Sequence, residues 1–158
     1  TGPGSYTGIR VGLAAANGLS YALKIPMITY NALELLARTV LKTTNLPDAF
    51  YCPMIDARRM EVYTALYNYE MQEIIQPSAM ILEEDSFYDK LNSGKIIFSG
   101  SGSEKFKKIT KSENAFFVSD GISTDVIAEI SLKKYQKKEF ENIPYAQPLY
   151  IKDFHTIF

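Results

Sequence analysis

The sequence has one cysteine, Cys52, and one histidine, His155. A single cysteine excludes an intramolecular disulfide and a thiolate metal cluster. A single histidine excludes, within this chain, every site that needs two, the HExxH motif and the triad of two histidines and a carboxylate included. Charge of one sign is also lacking. Lys+Arg is 17 against 18 Asp+Glu, a formal net charge of -1. No overall basic field therefore exists to hold nucleic acid by phosphate neutralisation. No apolar run reaches the roughly 18 residues that a membrane span needs. Internal repeats and low-complexity segments are absent. The chain opens on Thr1 and Gly2-Pro3-Gly4-Ser5, without an initiator Met or a charged segment leading into an apolar one. That start fits neither a signal peptide nor an ordinary domain opening. What is present is a globular composition: 158 residues, 46% hydrophobic and 22% charged. A chain of this size buries about two-thirds of its unfolded surface, enough for a real core.

The glycine loop Gly2-Pro3-Gly4-Ser5-Tyr6-Thr7-Gly8 leads into a predicted helix from Ile9 to Leu23. Gly12 and Gly18 inside it each cost roughly 1 kcal/mol against Ala. Small residues on an almost wholly apolar helix point to close approach by another backbone, and to burial or an interface. Pro26 ends the helix, and Met27 to Tyr30 reads as a short strand. Asn31 with Glu34 three residues on suggests a capping box before an amphipathic helix from Ala32 to Lys42, with Leu33, Leu36, Ala37, Val40 and Leu41 on one face. Asn45-Leu46-Pro47-Asp48 marks a domain boundary, giving segments 1-46 and 47-158.

Beyond it, strands are predicted at Phe50 to Asp56, Glu61 to Tyr69 and Ala79 to Leu82, the second with Val62, Thr64 and Leu66 on one face and Tyr63, Ala65 and Tyr67 on the other. A helix from Glu84 to Leu91, a strand from Lys95 to Ser99 and a helix from Ser103 to Thr110 follow. A strand from Ala115 to Ser119 precedes a helix capped at Ser123 and running from Val126 to about Glu139. Three leading strands and then helix-connected strands make the pattern of a ribonuclease-H-like lobe. The part before Phe50, only helix, strand and helix, reads as the end of a first such lobe whose opening elements are missing.

Several stretches resemble one family. Gly2-Pro3-Gly4-Ser5-Tyr6-Thr7-Gly8-Ile9-Arg10-Val11-Gly12-Leu13 resembles the GPGSFTGLRIGL signature of the TsaB (YeaZ-like) family in the glycoprotease-related superfamily. Ala14 to Pro26 is similar to that family's next helix and turn, and Asn31 to Ala37 stands where the family has S-x-L-E-A-L-A. Ile55-Asp56-Ala57-Arg58-Arg59-Met60-Glu61-Val62-Tyr63 is close to its IDAR-x-x-EVY, and Pro148 to Lys152 resembles its P-x-Y-L-R. Between Asn68 and Asn142 the likeness is in element order. The resemblance implies an α/β, actin-like ATPase or sugar-kinase-like fold of two ribonuclease-H-like lobes, the first incomplete here.

Gly4, Ser5, Thr7 and Gly8 could offer N–H and hydroxyl groups to an anion at a helix start. The loop lacks the GK[ST] of a P-loop and does not space as GxGxxG, and a tight turn with a close helix crossing explains the same glycines. The resemblance implies that nucleotide-using members of the fold follow an acidic residue at the equivalent of Asp56 with a glycine-rich hairpin. Ala57-Arg58-Arg59-Met60 holds no glycine. Gly4, Ser5, Thr7, Gly8, Asp56, Arg58 and Arg59 are thus the candidates for a vestigial phosphate or anion loop. A charged network of Asp56, Arg58, Arg59 and Glu61 steadying the turn is the plainer reading. Ser99-Gly100-Ser101-Gly102-Ser103 reads as a flexible turn with Ser103 as a cap, or as an adenosine-facing loop. Cys52 reads as buried and inert. His155 has no second ligand near it in sequence, and Ser5 lacks a His/Asp pattern to activate it. Lys105, Lys107, Lys108 and Lys111, with Lys133, Lys134, Lys137 and Lys138, form two solvated helix faces or a weak tRNA-facing surface.

No catalytic residue, metal or cofactor is expected. The resemblance implies a non-catalytic scaffold subunit in tRNA threonylcarbamoyladenosine formation that binds and activates a TsaD-type catalytic subunit, with a TsaE-type ATPase as third partner. The alternative is an ATP-dependent small-molecule kinase or ATPase of the same fold; the older peptidase label lacks zinc ligands. Arg10, Gly12, Ala15, Ala16 and Leu19 are the expected partner interface, with a homodimer when alone. Contact with tRNA is expected to be indirect or weak at most, and the location cytoplasmic.

Overall fold

The computed structural model describes residues 1–119 and 121–152. A five-stranded mixed sheet organises them: β1 (Ala49–Asp56), β2 (Glu61–Tyr67), β3 (Glu73–Ile81), β4 (Lys95–Ser99) and β5 (Ala115–Val118). Their order is β3-β2-β1-β4-β5. The first three strands pair antiparallel, and β1–β4 and β4–β5 pair parallel. This is the arrangement of a ribonuclease-H-like lobe, as the element order implied. The helices are α1 (Tyr6–Leu23), α2 (Ala32–Thr44), α3 (Tyr88–Ser93), α4 (Ser103–Lys107) and α5 (Thr124–Gln136), followed by a 3-10 turn at Ile143–Tyr145.

Alternation along the strands divides the core between the two sheet faces. Cys52 and Met54 of β1, Val62 and Leu66 of β2, and Ile96 and Phe98 of β4 bury on one face with Leu91 of α3 and Phe106 of α4. Rings concentrate there, with Phe98 and Phe106 centroids 4.8 Å apart and Phe117 stacked on Phe98 at 5.3 Å. Tyr51, Ala65, Tyr67 and Ile97 bury on the other face under Leu33, Ala37 and Val40 of α2. The stripe read from the sequence of α2 is thus the one that covers the sheet. The predicted boundary at Asn45–Asp48 falls in the turn between α2 and β1, where Asn45 takes a left-handed φ of 48° and closes the helix.

Several elements differ from expectation. Met27 to Tyr30 forms no strand; among the described residues the region makes only the single bridge Gly2↔Asn31, so no ladder stabilises it. β3 starts at Glu73, well before Ala79, because it is an edge strand and tolerates Pro77 beside a register shift. The helix expected from Glu84 starts only at Tyr88. The Ser86 hydroxyl accepts from the Glu83 N–H (2.9 Å) and holds that stretch in turns. The last long helix ends at Gln136 rather than Glu139. The capping box is half made: Asn31 Oδ1 accepts from the Leu33 N–H at 2.9 Å, while Glu34 pairs with Arg38 at 2.8 Å. Ser103 does not cap α4; its hydroxyl donates back to the Gly100 carbonyl at 2.8 Å.

Candidate functional site

The glycine loop is spent largely on structure. Ser5 caps α1, its Oγ accepting from the Gly8 N–H at 3.4 Å. Gly2 has φ +110°, and a Cβ there would stand 2.8 Å from Ile9 Cδ1 and 3.3 Å from the Leu149 carbonyl oxygen. The loop is stitched to the chain around it: the Gly2 carbonyl accepts from the Ala32 N–H (2.7 Å), and the Thr1 carbonyl from the Leu149 N–H (2.9 Å). Gly4 and Thr7 flank the cap, with Thr7 exposed.

The β1–β2 hairpin carries the other candidates. Asp56 Oδ1 accepts from the Arg58 N–H at 2.6 Å and from Lys105 Nζ at 2.7 Å. Lys105 reaches in from α4 and also donates to the Glu61 carbonyl at 3.0 Å. The Asp56 carboxyl is held below its usual value, first by the Lys105 hydrogen bond and then by the Arg58 N–H. The Glu61 carboxylate pairs with Lys152 at 2.6 Å. A charged network does steady the turn, but its cations are Lys105 and Lys152. The Arg58 and Arg59 side chains are exposed and enter no ion pair among the described residues. Both arginines take positive φ, 72° and 44°, the conformation glycine adopts most readily.

The Ser99–Ser103 loop is packed against the root of this hairpin and is not a loose turn. The Asp56 N–H donates to Ser101 Oγ at 3.1 Å, and the Gly102 N–H to the Met54 carbonyl at 3.0 Å. Gly100 has φ +88°, and a Cβ there would come within 2.5 Å of both the Met54 oxygen and Leu36 Cδ2. A cavity of about 410 Å³ borders it, lined by Ile55, Gly100, Ser101, Ser103 and Ile122 among others. A second cavity of about 330 Å³ lies under α1 beside Gly2, Gly8, Gly12, Ala16 and Met27. The two share only Ala32 and Ile122, so the glycine loop and the Ser99–Ser103 loop line different spaces, and Asp56, Arg58 and Arg59 line neither.

Of the expected interface residues, Gly12, Ala15, Ala16 and Leu19 follow the i, i+3, i+4, i+7 spacing of one face of α1, and Arg10 lies off it. Gly12 and Ala16, spaced one turn apart, border the cavity under α1, and Gly12, Ala15 and Leu19 are exposed. Arg10 stands apart: its Nε donates to the Tyr150 hydroxyl at 2.8 Å, and its guanidinium lies 4.1 Å over the Tyr6 ring. Tyr150 itself stacks on Tyr6 at 5.1 Å. Sequence reasoning did not anticipate this tail strap, in which Leu149, Tyr150 and Lys152 tie the start of the chain to the hairpin. Its signal was the Pro148–Lys152 motif. Of the two expectations for α1, burial or an interface, burial within the described residues is not met: the helix buries only Ser20 and leaves Val11, Leu19, Tyr21 and Leu23 more than half exposed. The described residues offer it few neighbours.

Cys52 is buried, and desolvation pushes its thiol up to about 12 despite a Thr64 hydroxyl contact. No group of three or more metal-ligating side chains occurs among the described residues, and no described helix is long and apolar enough to cross a membrane. His155 lies outside the described residues.

Residues 1–153 match the family described as TsaD: tRNA N6-adenosine threonylcarbamoyltransferase. The tRNA threonylcarbamoyladenosine biosynthesis protein TsaB of Bacillus subtilis is 32% identical over 111 residues, 68% of this chain and 47% of that protein. TsaB of Escherichia coli is 26% identical over 160 residues, covering 96% of this chain and 68% of its own length. The chain therefore spans about half to two-thirds of these relatives. YeaZ from Pseudomonas aeruginosa superposes with a TM-score of 0.72 at 20% identity, covering 94% of this chain and 70% of that one. An uncharacterized Pseudomonas aeruginosa protein with similarity to peptidase YeaZ superposes at 0.78 and 21% identity, covering 96% and 70%. At such identities the structural likeness speaks for the fold, which is the actin-like, ribonuclease-H-like one. By the match over residues 1–153 and its TsaB relatives, the chain belongs to the TsaD family as a TsaB/YeaZ-like member.

Proposed function

We propose that the chain serves tRNA threonylcarbamoyladenosine biosynthesis, the process its TsaB relatives are named for, as a non-catalytic subunit. In this reading it holds a TsaD-type catalytic subunit through α1, with a TsaE-type ATPase completing the system, and pairs with a second copy of itself when alone. One observation carries it: an 18-residue apolar helix with a single buried residue, Ser20. Exposed leucine, valine and tyrosine on one element are the surface of an interface waiting for its other half. A stable contact of that kind buries about 1,200–2,000 Å².

The hairpin supports the non-catalytic part. Phosphate binding by a β-hairpin needs backbone N–H groups free to face the ligand. Here Lys105 already neutralises Asp56, and the Arg58 N–H is turned back onto the same carboxylate. Gly100 and Gly102 are consumed by packing on Met54 and Val62. The kinase or ATPase alternative would have to open this arrangement.

The test is threonylcarbamoyl transfer to tRNA by TsaD- and TsaE-type subunits, with and without this protein. Transfer that requires it, while it turns over no ATP alone, is the expected result. ATP hydrolysis by the protein alone, with transfer indifferent to its presence, would sink the reading in favour of the kinase-like one.

A further inference from the structure

Positive charge collects in the groove between α2 and α5. Arg38, Lys42, Lys133, Lys134 and Lys137 line a cavity of about 450 Å³ with only three carboxylates, those of Glu34, Glu129 and Glu139. The groove is thus +5 and -3, a net of +2, in a chain of net charge -1, which leaves -3 for the rest. The carboxylates do not cancel the cations one for one. Glu129 serves both Lys42 at 3.2 Å and Lys133 at 2.8 Å. Lys137 meets Glu139 only at 4.0 Å. Lys134 has no carboxylate partner among the described residues; it donates to the Thr29 carbonyl at 2.9 Å and lies 5.1 Å from the Tyr30 ring centroid.

The other lysine row behaves differently. Lys105 is locked on Asp56, Lys107 stands 3.6 Å from Glu104, and Lys111 is 2.7 Å from Glu84. Each of these three has its own carboxylate and only Lys108 enters no ion pair among the described residues, so four cations meet three carboxylates and the row is about +1. Helix-end electrostatics account for lysines in the last turns of α2 and α5. Arg38 has its own partner in Glu34 at 2.8 Å; neither effect accounts for two cationic rows meeting across one recess.

We propose that the α2–α5 groove binds the phosphate backbone of RNA and gives the protein a second, weak hold on tRNA apart from any partner subunit. The choice of tRNA rests on the function proposed above; the phosphate chemistry does not. Two features of the groove suit phosphates. Its cations sit on α2, on α5 and at the end of α5, and the Ser123 N–H that caps α5 donates to Thr39 Oγ1 of α2 at 3.1 Å. The recess also lets cations approach a backbone from two sides. Such contacts position an RNA without reading its sequence.

The experiment measures binding of fluorescein-labelled deacylated tRNA to the full chain by anisotropy between 50 and 200 mM salt. Lys133→Gln/Lys137→Gln is compared with Lys107→Gln/Lys111→Gln, which removes the same charge from the paired row. All four side chains are exposed, and circular dichroism checks that both variants fold. The groove variant should bind about tenfold more weakly at 50 mM salt. Its log–log salt slope should be shallower by about 1–2, at roughly 0.7–0.9 per phosphate contact. The control variant should stay within about twofold of the parent. Equal losses in both variants, unchanged binding by the groove variant, or no tRNA binding by the parent would each overturn the proposal. Co-purification with a TsaD-type subunit separates the two readings. A groove variant that loses this subunit but keeps tRNA makes the groove a protein interface and overturns the proposal. A parent that binds tRNA through the groove but never binds the subunit supports the groove and removes the scaffold.

Discussion

Lys105 Nζ stands 2.7 Å from Asp56 Oδ1, so the acidic residue that ends β1 is met by a cation from the chain's own α4. The pair holds the Asp56 carboxyl below its usual 3.8. A carboxyl whose folded pKa lies below its unfolded one adds stability in full above that unfolded value. The contribution disappears as pH falls through the folded pKa. With the Asp56 side chain 45% exposed, solvent screening keeps the pair to about 1 kcal/mol or less. Lys105→Met should therefore raise the Asp56 pKa toward 3.8 in a carboxyl NMR titration. It should lower Tm at pH 7 by no more than about 2–4 °C. At a pH well below 3 the ion-pair part of that difference should be gone, leaving only the lost bond from Lys105 to the Glu61 carbonyl. An Asp56 titration identical in both would show that the ion pair does not form in solution.

Gly100 is the least replaceable position of the loop that faces the hairpin. Its φ of +88° alone penalises any L side chain, and a Cβ would collide with the Met54 carbonyl oxygen at 2.5 Å. That neighbour is strand backbone and cannot swing aside. Gly100→Ala should cost about 2–4 kcal/mol, the left-handed penalty plus overpacking. Urea unfolding would read it as a lower midpoint with an unchanged slope. A loss below about 0.5 kcal/mol would mean the loop is as loose as its serine-glycine sequence suggests.

Arg58 and Arg59 pose the reverse case. Each holds positive φ without an ion pair in return. Glycine would remove a strain of about 1–2 kcal/mol per residue at an entropic cost of about 0.5–1 kcal/mol. Arg58→Gly and Arg59→Gly should thus leave stability unchanged or raise it by up to about 1 kcal/mol. A clear destabilisation in thermal melts would restore these arginines to the charged network that the sequence suggested for them.

Much of the fold was legible because periodicity reports burial. The face assignment of β2, with Val62 and Leu66 on one side and Ala65 and Tyr67 on the other, followed from alternation alone. The stripe of α2 followed from helical spacing. What misled was local chemistry that can be satisfied in more than one way. Ser103 has the look of a cap, yet its hydroxyl donates to a carbonyl three residues back. Met27 to Tyr30 has strand composition, but a strand exists only with a partner to pair it. The site was legible in part. Asp56 was singled out from the motif, whereas Lys105 and Lys152 come from 49 and 91 residues away and carry no signal in the sequence near their partners.

The small residues of α1 give the sharpest test of the scaffold reading, because stability and assembly should move in opposite directions. A Cβ added at Gly12 or Gly18 would meet nothing within 4 Å. In the isolated chain, Gly12→Ala and Gly18→Ala should each stabilise by about 1 kcal/mol through helix propensity. If another helix seats along the row of Gly8, Gly12 and Ala16, the new methyl at Gly12 stands where that backbone must come close. Gly12→Ala should then weaken association with a TsaD-type subunit while raising Tm. Leu19→Glu removes an exposed apolar side chain and should leave stability within about 0.5 kcal/mol. It should also weaken association by about 2 kcal/mol or more, some thirtyfold, if Leu19 is a central contact. Calorimetric titration beside thermal melts measures both quantities on the same samples. If Gly12→Ala raises both stability and affinity, the glycine is not a helix-crossing point, and the contact, if α1 makes one, uses the opposite face, where Tyr21 stands exposed.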